Sequence, residues 1–153
     1  MGFTETHVTN MIEDHELEIK GYVCVRGDSK SNRTGVLLYV ERIIKFEVIT
    51  INICDNNWWS LTIRVNDKNY KGTLMLVYHS PSGSDAKFIE FLEEICNDDL
   101  LNGSVILMGD FNIDMKVKNY CQNKLIRIMN SVSLKQLVNK PTRIVNTSET
   151  IID

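Results

Sequence analysis

The run Val105-Ile106-Leu107-Met108-Gly109-Asp110-Phe111-Asn112 is the sharpest chemical feature of the sequence. A buried-strand pattern leads into Gly109, and two short polar side chains, Asp110 and Asn112, follow at alternate positions. Alternate side chains of an extended chain share a face. If extended geometry continues past Gly109, Asp110 and Asn112 point the same way. A sheet holds residues at the carboxyl end of a central strand rigidly, while the loop beyond leaves them open. A carboxylate and an amide oxygen placed there suit a hard cation such as magnesium. Gly, Asp and Asn are also common turn formers. On chemistry alone, an ordinary strand-to-turn junction explains the run equally well.

Other reactive residue types carry less information. The pair Trp58 and Trp59 invites a base-stacking reading, but neighbours on a strand point to opposite faces, so at most one faces a ligand and the other packs. Lys116, Lys118, Lys124 and Arg127 form a modest basic patch, which also reads as an ordinary solvated face. Net charge is -3, from 17 basic and 20 acidic residues, which counts against a protein that coats nucleic acid non-specifically. It counts less against an enzyme that touches phosphate at one site. Cys24, Cys54, Cys96 and Cys121 lie far apart among mostly apolar neighbours and make no CxxC pair, which predicts reduced thiols in an intracellular protein. No apolar run approaches a membrane span, so no membrane partner is expected.

The elements that must position Asp110 are legible from periodicity. GYVCVRG and GVLLYV read as strands around a polar turn, DSKSNRT. FEVITINI and WWSLTIRV flank the turn Cys54-Asp55-Asn56-Asn57 and read as antiparallel neighbours. In the second, Leu61, Ile63 and Val65 alternate with Thr62 and Arg64, the pattern of a half-buried strand. GTLMLVY is apolar almost throughout and predicts a more central strand. The period then changes. Ser84 or Asp85 can cap a helix carrying Phe88, Phe91, Leu92 and Ile95 on one face. SVILMG reads as a buried strand, and Leu125, Ile128, Met129 and Val132 mark a second helix. The segment before Glu18 is polar and acidic, without clear period. Hairpins followed by one strand–helix–strand unit predict an α/β protein with a mixed sheet covered by helices, and residues 1–153 read as one domain. No glycine-rich nucleotide loop supports a parallel Rossmann-type sheet.

GDFN after an apolar strand resembles the signature of the endonuclease/exonuclease/phosphatase superfamily. Other landmarks follow in that superfamily's order. Thr4-Glu5-Thr6 resembles its early Thr-Glu-Thr segment. Gly21-Tyr22 and Gly35-Val36-Leu37-Leu38-Tyr39-Val40 are similar to the stretch after it. Val77-Tyr78-His79-Ser80-Pro81-Ser82 resembles its Tyr-x-x-Pro segment. Thr142-Arg143, Ser148 and Ile151-Ile152-Asp153 resemble the segment leading into a further strand. The spelling is most similar to the endonuclease domains of non-LTR retrotransposons.

The resemblance implies a DNase I-like sandwich of two mixed β-sheets flanked by helices, incomplete at both ends. It implies hydrolysis of phosphodiester bonds in DNA with Mg2+ or Mn2+. By the same resemblance Glu5 is the metal-binding carboxylate, and Tyr78 donates a hydrogen bond near the scissile phosphate. Asp110 orients or deprotonates the attacking water, and Asn112 positions the phosphate and supports Asp110. Asp153 is a supporting aspartate, and Asp114 a weaker helper acting through water. His79 stands where many relatives carry arginine and is a possible phosphate contact.

The family's opening strand with its asparagine, and its terminal Ser-Asp-His segment, have no counterpart in this sequence. The histidines, His7, His15 and His79, all come too early to supply it. A truncated, catalytically inactive, retrotransposon-derived binding or interaction fragment is therefore the alternative, and poor nicking is expected of this chain. A parent polyprotein with reverse transcriptase and a nuclear location follow if the DNA role holds.

Overall fold

The computed structural model describes residues 1–29, 34–97, 103–145 and 148–152. Strands β1 (Gly2–Thr4), β2 (Tyr22–Gly27) and β3 (Val36–Glu41) form an antiparallel sheet in the order β1-β3-β2. Strands β4 (Phe46–Cys54), β5 (Trp58–Asn66), β6 (Lys71–His79) and β7 (Val105–Asp110) form a second sheet in chain order. Its first three strands are antiparallel, and β7 runs parallel to β6. Helices α1 (Asp85–Asn97) and α2 (Tyr120–Ser131) follow β6 and β7 respectively. A small antiparallel pair, β8 (Arg143–Val145) and β9 (Ser148–Thr150), comes last.

Turn chemistry explains the connections. Between β4 and β5, Asn56 takes a left-handed φ of 64°, which asparagine tolerates, and the Asn57 N–H closes on the Cys54 carbonyl at 2.8 Å. Between β5 and β6, the Asp67 carboxylate accepts from the Asn69 N–H at 3.2 Å. A parallel β6–β7 pair needs a long crossover, and α1 supplies it. The Ser84 hydroxyl and carbonyl receive the Lys87 and Phe88 N–H groups at the start of α1. Asn119 caps α2 by accepting from the Gln122 N–H at 2.8 Å.

The layers follow from side-chain alternation. Val25, Val36, Leu38 and Val40 of the small sheet meet Trp59, Leu61, Ile63, Val65, Leu76 and Tyr78 of the large sheet. The opposite face of the large sheet packs Met75 and Val77 against Phe88, Ile89, Leu92, Ile95, Leu125 and Ile128 of the helices. The outer face of the small sheet is covered by Val8, Ile12 and Leu17, the last within a short 3-10 helix, Asp14–Leu17. Two sheets packed face to face, with helices outside the larger one, realise the expected mixed α/β sandwich. Among the described residues, no helix is long and apolar enough to cross a membrane.

Some expectations change. The polar N-terminal stretch contains a strand, β1, which pairs with the edge of β3. Its backbone pairing is invisible to side-chain periodicity. Thr62, expected on a wet face, is 2% exposed because the helices cover the outer side of β5. SVILMG, expected to be fully buried, is the last strand of its sheet among the described residues, and Ile106 is 43% exposed. Trp58 and Trp59 do face opposite sides, and both pack: Trp59 in the inter-sheet core, Trp58 stacked on Phe91 at 4.9 Å. The four cysteines are unpaired, and burial pushes the Cys96 thiol up to about 11.

Candidate active site

The carboxyl ends of β6 and β7 lie side by side, with Tyr78 in register with Asp110. Gly109 makes that approach possible. It has φ of 136°, and a Cβ there would overlap the Val77 carbonyl of β6. Only glycine combines that backbone angle with that contact.

Past Asp110 the extended geometry does not continue. Asn112 takes a left-handed φ of 47°. This turn folds the Asn112 N–H back onto Asp110 Oδ1 at 2.9 Å. The Asn112 side-chain amide donates to the His79 carbonyl at 2.7 Å. Asn112 therefore supports Asp110 through its backbone while its side chain is anchored to β6. Asparagine suits both tasks, because it tolerates the left-handed region and carries a donor.

Glu5 reaches the same place from the other sheet. It follows β1 with a left-handed φ of 53°, uncommon for a non-glycine residue, and the next-but-one residue, His7, has φ of 55°. The kink turns the Glu5 carboxylate onto the Tyr78 hydroxyl, which donates to Oε1 at 2.7 Å. Burial, then the hydrogen bond and charge of Glu5, and then the charge of Asp110 hold the Tyr78 hydroxyl above the ordinary tyrosine range. Its single proton is committed to Glu5, so in this structure Tyr78 holds a carboxylate and does not offer that proton to a phosphate. Thus Glu5, Tyr78 and the turn carrying Asp110 and Asn112, three segments far apart in sequence, meet at one end of the sheets.

The surrounding segment is tied down by a residue that motif reasoning passed over. Arg26 on β2 grips Asp28 with two bonds of 2.8 Å and reaches the Thr9 carbonyl at 2.8 Å and Asp14 at 2.6 Å. The His7 N–H bonds to the Thr34 carbonyl at 3.1 Å. These bonds hold residues 7–14, the stretch that follows Glu5. Arginine inside an alternating strand pattern gave no local signal of this.

The remaining candidates are placed differently. Asp114 Oδ1 accepts from the Lys116 N–H at 3.0 Å and the Ile151 N–H at 3.2 Å. It fastens residues 151–152 beside the Asp110 turn, where the Phe111 N–H also meets the Ile152 carbonyl at 2.8 Å. Its role is to shape the loop, where help through water was expected. Asp153 lies outside the described residues. His79, expected as a phosphate contact, is 1% exposed and stacked on Phe88 with 4.3 Å between ring centroids. So enclosed a ring presents no surface to a phosphate. In the basic patch, Lys116 is paired with Glu149 and Lys124 with Glu93, so half of its charge is neutralised in place. Among the described residues, no group of three or more His, Cys, Asp or Glu side chains is gathered for a metal ion.

A family profile described as endonuclease-reverse transcriptase matches residues 73–153. This is more than half of the chain, and it includes Tyr78, Asp110 and Asn112 but not Glu5. No curated protein matches the sequence. Among solved structures, the fold is similar to the endonuclease domain of TRAS1, a telomere-specific non-LTR retrotransposon, with a TM-score of 0.64 and 13% identity. The match covers 81% of this chain and 59% of that one, so this chain spans less than two thirds of the TRAS1 domain's length. At that identity the likeness shows the fold. With the profile match, the sandwich and the GDFN turn in place, the chain belongs to the endonuclease-reverse transcriptase family and has an endonuclease/exonuclease/phosphatase-type fold.

Proposed function

We propose that this domain hydrolyses phosphodiester bonds in DNA with the help of Mg2+ or Mn2+, nicking one strand. The observation that carries this reading is the meeting of Glu5 and Asp110, from different sheets, around the buried Tyr78. Their oxygens are hard donors, and magnesium takes one or two carboxylates while keeping much of its water. The donor set fits such an ion, centred on Glu5 with Asp110 assisting. When bound, the ion supplies positive charge that offsets the phosphodiester and the leaving oxygen.

The protein's own groups divide the rest. Tyr78 orients Glu5 through their hydrogen bond. Asp110, held by the Asn112 N–H, aligns a water and takes its proton as the water oxygen bonds to phosphorus and the opposite P–O bond breaks. Asn112 has a second amide hydrogen beyond the one given to His79, and it can donate to a phosphate oxygen without adding negative charge. A DNA substrate and a parent polyprotein with reverse transcriptase belong to this proposal, supported by family membership, and a nuclear location follows only from the DNA role.

Relaxation of supercoiled plasmid in Mg2+ tests it, on this chain and on Asp110→Ala. Nicking by the chain that is lost in Asp110→Ala supports the proposal. Nicking that survives the substitution contradicts it. DNA retention without nicking by either protein identifies a binding fragment instead.

A further inference from the structure

His79 does more than fill space. Its Nδ1 lies 3.0 Å from the Phe111 carbonyl. A carbonyl can only accept, so Nδ1 carries the hydrogen and the neutral ring leaves Nε2 unprotonated. Nε2 is buried with no hydrogen-bond partner among the described residues, pressed close to Gly83, where a Cβ would come within 2.9 Å of it. The ring is stacked flat against Phe88, with planes 3° apart, which fixes its direction. On the backbone side, the His79 carbonyl accepts from the Asn112 amide at 2.7 Å. One residue therefore holds two consecutive residues of the GDFN turn, Phe111 by its side chain and Asn112 by its main chain. The Asn112 N–H in turn holds the Asp110 carboxylate.

We infer that His79 is a positioning residue, which sets the Asp110 carboxylate by clamping the Phe111–Asn112 turn to the end of β6. The clamp rests on the proposed hydrolysis for its functional meaning, but its geometry does not depend on it. A displacement of about 1 Å in a catalytic group costs on the order of 100-fold in rate, and of the ties that hold this turn, the two to β6 come from His79.

Two substitutions separate the clamp from simple packing. His79→Phe keeps an aromatic ring against Phe88 and removes the donor to Phe111. His79→Asn places an amide nitrogen near the position of Nδ1 and removes the ring. Packing alone predicts that the Phe variant is at least as stable and as active as the parent, and the Asn variant worse in both. The clamp predicts opposite orders. The Phe variant should melt only a few degrees lower, for the one hydrogen bond lost, and lose about 10- to 100-fold in kcat for plasmid nicking, with KM unchanged. The Asn variant should melt lower and keep more kcat than the Phe variant.

A second readout removes dependence on activity: hydrogen exchange of the Asn112 amide, followed by NMR in all three proteins. Its protection should fall about tenfold or more in the Phe variant and be largely restored in the Asn variant. If the parent does not nick, the proposed hydrolysis fails while amide exchange still decides the clamp. Unchanged Asn112 protection in the Phe variant, or a kcat order that follows melting temperature, overturns the inference.

Discussion

Two carboxylates reach the end of β6 by different means. Asp110 sits on a turn tied to β6 three ways: by strand register, by the Asn112 amide and by the His79 ring. Glu5 sits on an exposed loop from the other sheet, and the Tyr78 hydroxyl links its side chain to the site by a hydrogen bond. The first arm is built by local sequence and a parallel strand pair. The second depends on two sheets packing in the right relation. A rigid arm can fix the direction of a water or base, and a looser arm can adjust to a cation. In the proposed site, that difference would let one type of side chain serve two purposes.

The largest expected effect sharpens the rigid arm. Asp110→Ala should lower the nicking rate by about 100- to 1,000-fold, as removal of a central catalytic group typically does. The Glu5→Gln variant should leave folding stability within about 0.5 kcal/mol, because Glu5 is exposed and a glutamine oxygen still accepts from Tyr78. Gly109→Ala comes next and acts on structure. The added methyl meets the Val77 carbonyl at a backbone angle that alanine resists, so a loss of about 2–4 kcal/mol is expected in denaturant unfolding. If Gly109→Ala is tolerated, the rigid arm is not built by the close approach of β7 to β6.

The boundary between what could be read and what could not follows the same division. GTLMLVY and SVILMGDFN specify neighbouring strands and a polar turn through local patterns, and Ser84 with Phe88, Leu92 and Ile95 specifies the helix between them. Those elements were legible because burial and capping act over a few residues. Glu5 was recognisable only through its Thr-Glu-Thr resemblance. Its left-handed backbone and its bond to Tyr78 arise from sheet packing, which no window of sequence contains. Asn112 shows a subtler miss. Its type was read as a ligand on an extended strand, but the chain turns there, and the asparagine serves the turn as well as the chemistry. His79 was read by comparison with a charged arginine, whereas burial against Phe88 makes it a neutral clamp.

A smaller effect concerns the link between the arms. Tyr78→Phe removes one half-buried hydrogen bond and should cost about 1 kcal/mol in stability. It should weaken Mg2+ binding more than it weakens DNA retention, because it releases Glu5 and leaves the Asp110 turn in place. Equal losses in both would break the division between the arms.

The smallest effect is a pH dependence of stability. Burial lowers the His79 pKa below the usual 6.5, outweighing the Phe111 hydrogen bond and the nearby Asp85. As pH falls through 6.5 the unfolded chain binds the proton first, so the folded state loses stability until the folded pKa is reached. Stability should therefore be fully present above about pH 6.5 and decline below it, with that component absent in His79→Phe. Denaturant midpoints across this range, compared between the two proteins, would reveal it.

Calorimetric titration with Mn2+ addresses the meeting of the two arms directly, using the parent chain, Glu5→Gln, Asp110→Asn and the double variant. If both carboxylates serve one ion, each single substitution should weaken binding by about tenfold or more, and the double variant should be little worse than the weaker single. Equal affinity in all four proteins would contradict the account, and so would losses that simply add.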